Sequence, residues 1–297
     1  MHNDFYIVND KNLYIDLKKE NNKKVNKLKE FPIISTIILT IIIIGCLSCN
    51  IISKYDPKYM DLTKCNIAPN STFFFGTDSM GKDIFSQIWY GGKISLFIGA
   101  FSTIIATFIG VIYGYISGMS SKHVDYIMMR AIDIIISVPS ILIVIFMQVI
   151  IGKNNAIGIS IAIGMVSWMN ISKVVRSEVK QIRNADYISE AKILGGGYIY
   201  ILRQHLLPNF ISSIMFMIVS NIGSAIAIES TLSFLGIGLP VETVSWGSML
   251  SLSQQALLSN YWWIIIIPGL FLVVTLICLA NIGDYLRKKN IKKYNNL

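Results

Sequence analysis

Hydrophobic positions in this 297-residue chain come in long unbroken runs rather than in alternation. Six stretches, near 33–52, 94–118, 126–150, 156–174, 209–236 and 263–284, are apolar enough to cross a hydrocarbon core of ~30 Å, which takes ~20 helical residues. Backbone groups in lipid must be paired within the segment, so runs of this length predict helices and not a barrel. The pattern predicts an all-α polytopic membrane protein with six transmembrane helices. Pro139 and Pro268 fall inside two of the runs and predict kinks. Between the runs, Asp56-Pro57, Pro69-Asn70 and Gly91-Gly92 read as turn signals in an outer segment 53–92. A second outer loop, 237–262, ends in Tyr261-Trp262-Trp263, a cluster that fits the aromatic belt at the membrane surface.

This divides the chain into a polar arm (1–30), a first transmembrane helix with its outer segment (31–92), a core (93–287) and a short tail (288–297). Composition agrees, with 53% hydrophobic and 14% charged residues. Charge orients the bundle. Of 26 Lys and Arg, 20 lie in the arm, around 122–130, in 173–203 and in the tail, and only Lys54, Lys58, Lys64, Lys82, Lys93 and Lys153 lie on the other side. The positive-inside rule therefore predicts that both termini and the loop 175–208 are cytoplasmic. That bias accounts for the net charge of +9, so no nucleic-acid partner is needed. Cys46, Cys49 and Cys278 sit in spans and Cys65 stands alone, which implies no disulfide framework. Ile43-Ile44-Gly45-Cys46 loosely resembles a lipoprotein cleavage box, but residues 33–52 are better read as a retained signal anchor.

The loop 175–208 carries the clearest functional signal. From Asp186, residues Tyr187, Ile188, Ala191 and Leu194 fall at helical spacing, with Ser189, Glu190 and Lys192 opposite. Asp186 suits the N-cap, Gly195 the left-handed stop and Pro208 the first turn of the next helix. A two-faced helix on the cytoplasmic surface either docks a partner or simply lies on the membrane interface. Along the second span, Ser102, Ala106, Gly110, Gly114 and Gly118 make a stripe of small residues for close helix packing, within the chain or against a second subunit. Arg130 and Asp133 could pair along one helix. Glu229 lies deep in the fifth span without a nearby cation, so it faces either a permeation path or a neighbouring helix; Asn221 poses the same question more mildly.

Catalytic motifs are missing. Gly81-Lys82, Gly92-Lys93 and Gly152-Lys153 lack the rest of a phosphate-binding loop. The histidines are only His2, His123 and His205, and no metal-ligand or nucleophile pattern occurs. The expectation is a non-enzyme that binds no cofactor or metal itself.

Three blocks and an ending now support a resemblance. Gly76-Thr77-Asp78-Ser79-Met80-Gly81-Lys82-Asp83, with Tyr90-Gly91-Gly92-Lys93-Ile94-Ser95-Leu96 after it, is similar to a GTDxxGRD…YGxRxSL pattern. The inner loop is similar to an EAA-x3-G-x9-I-x-LP coupling motif, with Ser189-Glu190-Ala191, Gly195, Leu207 and Pro208 at its positions. Glu229 to Gly236 with Ser245-Trp246-Gly247 is similar to E-x-x-LSFLGLG…WG, and Asn281-Ile282-Gly283-Asp284 with Leu286-Arg287 matches the last-helix ending. The chain resembles C-type permease subunits of ABC-type dipeptide, oligopeptide and nickel importers. It departs from them in Ser189 for the leading Glu, Glu190 for Ala and His205 for an apolar residue, and in Lys82 and Lys93 where Arg is usual.

The resemblance implies a type I importer permease in a bacterial cell membrane. It implies a heterodimer with a second permease subunit, two cytoplasmic ATPase subunits that use ATP and Mg, and an extracytoplasmic substrate-binding protein that meets segments 72–93 and 237–262. The helix 187–194 would sit in an ATPase cleft. Di- or oligopeptides are the expected cargo, with nickel or a metal chelate as the alternative. From other classes, an ion-coupled secondary transporter relaying through Glu229 and Asp133, or a receptor or scaffold without transport, would need no ATPase.

Overall fold

A computed structural model describes residues 31–57, 59–152, 155–183, 197–240, 242–256 and 260–294, with Ile193 and Gly195. Among these residues the helices are α1 (Ile33–Leu47), α2 (Cys49–Ile52), α3 (Ile84–Met119), α4 (Lys122–Ile136), α5 (Ser140–Ile151), α6 (Ala156–Ile182), α7 (Tyr198–Ile201), α8 (Leu207–Phe234), α9 (Trp246–Ala256) and α10 (Trp262–Tyr294). A 3-10 turn, Leu62–Lys64, precedes α3, and a π-helical turn, Leu202–Leu206, joins α7 to α8. No strand occurs among the described residues beyond one isolated bridge, Thr77 to Asp83.

Four helices, α3, α6, α8 and α10, are each long and apolar enough to cross a membrane, so the chain is an all-α multi-pass membrane protein. The expected third run is not one straight helix. It breaks into α4 and α5, bent by 91°, and the two pass as a span only together. Pro139 explains the break, because it has no N–H to donate and disfavours helical backbone at the residue before it. Pro268, by contrast, lies within α10 and the helix runs on through it. α1 has only 15 residues, short of a full crossing by itself.

Several helices outrun their apolar stretches. α3 begins at Ile84, where Asp83 caps it by accepting from Ser86 N at 3.0 Å and Ser86 Oγ at 2.6 Å. Gly91-Gly92 therefore lies inside a helix and not in a turn, and the division at 92/93 falls within α3. The outer loop 237–262 contains a helix of its own, α9. α6 continues past 174 to Ile182 because Val175, Val179 and Ile182 extend its apolar face at helical spacing while Lys173, Arg176 and Lys180 occupy the other positions.

The α3–α6 pair is the spine. Its seam is the small-residue stripe: a Cβ added at Gly110 would meet Ile171 Cβ and the Trp168 carbonyl at 2.9 Å. At Gly118 it would meet Val179 Cγ1 at 2.6 Å. Gly164 of α6 returns the contact: a Cβ there would meet Ile105 Cβ at 2.8 Å and the Ser102 carbonyl at 2.9 Å. Small residues on both helices bring backbones close enough for dispersion to act without a hydrophobic drive. The stripe is thus covered within the chain. Three apolar clusters flank this spine. One joins α1, α3, α9 and α10 around the fully buried Trp246. A second joins α3, α4, α5, α6 and α8 around Ile98, Val144, Ile163 and Leu232. The third, at the inner end, packs Ile201, Leu206 and Ile214 against Val175 and Val179 of α6.

Candidate functional site

Two sequence blocks far apart in the chain, 90–96 and 229–247, converge on Glu229. Its carboxyl is fully buried, and serines from three elements surround it. Oε1 accepts from Ser245 Oγ at 2.8 Å and Ser233 Oγ at 2.9 Å. Oε2 accepts, at longer range, from Ser95 Oγ at 3.3 Å and Ser230 Oγ at 3.4 Å. Most of these hydroxyls are relays, because their lone pairs accept from backbone in turn. Ser95 Oγ takes Trp246 N–H at 3.2 Å, Ser233 Oγ takes Leu239 N–H at 3.2 Å, and Ser245 Oγ takes Ser248 N–H at 3.0 Å. Ser248 Oγ returns the favour to Ser245 N–H at 2.8 Å, a reciprocal cap at the start of α9. Glu229 is therefore the common acceptor that orients α3, the end of α8, the following loop and the start of α9.

Glycines make the convergence possible. A Cβ at Gly91 would meet the Ser245 backbone at 3.1 Å, and one at Gly92 would meet the Trp246 ring at 2.6 Å. Gly247 would meet Ser230 Cα at 2.6 Å. Trp246 itself donates from Nε1 to the Ile88 carbonyl at 3.0 Å. The Tyr90-Gly91-Gly92-Lys93 block is thus the seat on α3 for Ser245-Trp246-Gly247. Asn221, two turns inward on α8, keeps a buried Nδ2 with no hydrogen-bond partner among the described residues.

The outer block 76–83 forms a knot rather than a projecting surface. Thr77, Asp78, Lys82 and Asp83 are all buried. Asp78 Oδ1 accepts from Met80 N–H at 2.8 Å and Lys82 N–H at 2.9 Å, while Oδ2 accepts from Gln87 Nε2 at 2.8 Å. Thr77 Oγ1 donates to the Lys64 carbonyl at 2.6 Å and accepts from Ile67 N–H at 2.9 Å. Trp263 donates from Nε1 to the Thr77 carbonyl at 3.2 Å and is buried; of the expected aromatic belt, Trp262 is the ring that stays exposed. Gly81 has φ +73°, and its Cα lies so close to Asp61 that a Cβ would sit 1.9 Å from that residue's carbonyl oxygen. Gly76 is also in the left-handed region, at φ +76°. The Lys64 ammonium, 2.8 Å from Oδ2, and the Thr63 hydroxyl hold the Asp61 carboxyl down to about 2. What this segment exposes instead is apolar: Tyr59, Met60, Leu62 and Phe74.

At the inner end, Ser189, Glu190 and Ala191 lie outside the described residues. Gly195 is described and has φ +84°, with nothing among the described residues near the place of a Cβ. Leu207 and Pro208 open α8 as expected of the first turn of a helix. Asp133 pairs with Lys173 of α6 at 2.7 Å and not with Arg130 of its own helix. Sequence reasoning missed a stronger acidic centre, Asp125, which accepts from Ser117, Arg176 and Lys180. The available signal was the row Arg176, Lys180, Arg183, whose spacing of four and three puts all three cations on one helix face. Among the described residues, no cluster of three or more His, Cys, Asp or Glu could hold a metal ion.

Residues 110–292 match the family model for the binding-protein-dependent transport system inner membrane component. The oligopeptide transport system permease protein OppC of Bacillus subtilis is 36% identical over 262 residues, 88% of this chain and 84% of that protein. The dipeptide transport system permease protein DppC of the same organism is 35% identical over 236 residues, 80% of this chain and 73% of its own length. The oligopeptide transport system permease protein OppC of Haemophilus influenzae is 36% identical over 214 residues, 72% and 68% of the two chains. A match over residues 110–292, taking in α6, the loop after it and Glu229, means that the chain belongs to the family of binding-protein-dependent transport system inner membrane components.

Proposed function

We propose that this chain is a permease subunit of an ATP-driven importer of di- and oligopeptides. It forms part of the translocation path and leaves ATP hydrolysis, with its Mg, to cytoplasmic partner subunits. The observation that carries the reading is the family match over residues 110–292 joined to relatives named for dipeptide and oligopeptide transport. Those names favour peptides over nickel. The bundle sits in a bacterial cell membrane with six crossings, the α4–α5 pair counting as one, and both termini are cytoplasmic. Two ATPase subunits, a second permease subunit and an extracytoplasmic binding protein complete the importer.

The segment 186–208 docks an ATPase through Ser189, Glu190 and Ala191, and Gly195 turns the chain back toward α8. Docking can bias the bundle only by the difference in binding energy between the two states of the ATPase. The exposed apolar residues around the outer knot, Leu62 and Phe74 among them, receive the binding protein, and the knot holds them in place. Glu229 and Asn221 border the path at its outer and middle levels.

The test is uptake by cells lacking this chain, with and without it restored, offered labelled di- to pentapeptides and nickel, free and chelated. Restored peptide uptake that ATP depletion abolishes with the proton gradient intact supports the reading and excludes an ion-coupled carrier. Restored nickel uptake without peptide uptake refutes the substrate assignment. Gly195→Val forces a β-branched residue into left-handed backbone and is expected to abolish uptake while leaving the chain in the membrane.

A further inference from the structure

The inner end of α6 is bound to its neighbours by a second, different mechanism from the glycine seam. Asp125, in the first turn of α4, has a side chain only 5% exposed. Its Oδ1 accepts from Ser117 Oγ of α3 at 2.7 Å and from Arg176 Nε. Its Oδ2 accepts from Arg176 Nη2 at 2.6 Å and from Lys180 Nζ. One turn further on, Arg183 donates from Nη1 to the carbonyl of Gly118 at 2.9 Å and more weakly to that of Ser120 at 3.4 Å. Those carbonyls are the orphan acceptors at the C-terminus of α3, where the helix dipole is negative and a guanidinium is favoured.

The position of this cluster matters more than its strength. The glycine seam ends at Gly118 against Val179, and beyond it only Ile182 packs the last turn of α6 on the apolar cluster. Dispersion along the seam is also non-directional and lets helices slide. Asp125 and Arg183 take over where the seam stops. They hold α6 by directional, charge-assisted bonds up to its C-cap, Arg183, the residue directly before the segment that begins at 184. On the return side, Ile201 and Leu206 pack into the same cluster as Val175 and Val179.

We infer that the Asp125–Arg176–Lys180 clamp, with Arg183, makes the inner ends of α3, α4 and α6 a single body. Displacement of the 184–196 segment is thereby delivered to the membrane helices rather than absorbed by splaying of the last turns of α6. Asp125 is a positioning residue for coupling. The inference rests on the reading of that segment as the ATPase-docking element.

The experiment uses the full importer in proteoliposomes, with Asp125→Asn, Asp125→Glu and Lys180→Gln. Two readouts separate the clamp from the proposed function. Hydrogen exchange is measured over 176–183 and, as a control, over 156–170. Peptide uptake and ATP hydrolysis are measured together and expressed as peptide moved per ATP. Asp125→Asn is expected to raise exchange over 176–183 but not over 156–170, and to lower peptide moved per ATP about tenfold, within the range of a typical coupling energy. Asp125→Glu keeps the charge and retains most of both, and Lys180→Gln, which removes one arm from a part-exposed site, gives the intermediate result even if Asp125→Asn fails to assemble. Unchanged exchange over 176–183 in Asp125→Asn, or in Lys180→Gln where only that variant assembles, overturns the clamp. Raised exchange with an unchanged ratio overturns its role in coupling. A parent complex that moves no peptide, yet shows the exchange change, refutes the proposed function and leaves the clamp standing.

Discussion

Glu229 offers a sharp test of whether a buried carboxyl is there for transport or for architecture. Consider Glu229→Gln against Glu229→Ala. In the Gln variant, Oε1 keeps the acceptor position for Ser245 and Ser233, now at 2.8 and 2.9 Å. The Nε2 group replaces Oε2 and donates to Ser95 and Ser230, whose own hydroxyl protons must turn to backbone carbonyls one helical turn back. The two short bonds are kept and only the two long ones are rearranged, so the expected loss is below about 1 kcal/mol. The Ala variant removes the common acceptor. Two short and two long bonds, of which those from Ser95 and Ser245 come from other elements, at ~0.6 kcal/mol each in a membrane setting, account for about 2 kcal/mol. Truncating a side chain with no exposed surface adds about 1–2 kcal/mol for the void. The total is about 3–4 kcal/mol, enough to lower the midpoint of thermal unfolding by several degrees. The assay is thermal unfolding of the purified chain in nanodiscs, with peptide uptake measured on the same variants. A Gln variant as unstable as the Ala variant would refute the reasoning that hydrogen-bond satisfaction is what Glu229 supplies. A stable Gln variant that has lost all uptake would assign the residue to the permeation path instead.

Three further outcomes follow from the geometry. Gly114→Ala puts a Cβ 2.5 Å from the Ser172 carbonyl oxygen and 2.8 Å from Val175 Cβ, so α3 and α6 must part by several tenths of an ångström. The expected cost is about 1–3 kcal/mol, read as a lower unfolding midpoint. Gly81→Ala combines left-handed backbone with a clash against the Asp61 carbonyl. It is expected to open the 54–83 segment to protease while leaving the cleavage pattern of 156–183 unchanged. Asp61→Asn tests linkage: the parent carboxyl titrates at about 2, below its unfolded value of ~4, so its stabilisation is present above pH ~4 and lost as pH falls toward 2. Pepsin cleavage of the outer segment is therefore expected to be faster in the variant at pH 4 and equal to the parent at pH 2.

The apolar runs were long enough to reveal the class of fold, because span length is set by the bilayer and not by tertiary detail. Helix ends were less legible. Gly91-Gly92 carries the local signature of a turn, yet it lies within α3 because Ser245 and Trp246, over 150 residues away, need bare backbone to pack against. Propensity is local and the requirement is not. The same reason hid the partners of Asp133 and Asp125: spacing along one helix can propose Arg130, but only the α4–α6 packing selects Lys173, Arg176 and Lys180. Glu229 stood out as costly in lipid, while Ser95, Ser233 and Ser245 were individually unremarkable residues whose convergence no window of sequence contains.

The two polar networks divide the labour along α3. Ser95 ties its N-terminal part to Glu229 and Ser117 ties its C-terminal part to Asp125, 22 residues apart, or ~33 Å of helix, close to one hydrocarbon thickness. Between them lies the small-residue seam, which fixes how near α3 and α6 approach but not their axial register. Directional bonds occur where the helix leaves the apolar core, and non-directional packing occurs within it. A helix pair built this way keeps its spacing along the seam, while the Asp125 clamp fixes its register and Ser95 commits the other end of α3 to α8. Substitutions in the seam should therefore change stability in proportion to added volume. Those at Ser95 or Ser117 should change which helices move together, with little effect on unfolding. The opposite pattern, seam variants uncoupling transport and latch variants only destabilising, would mean that α3 acts as a sliding surface and the networks as passive anchors.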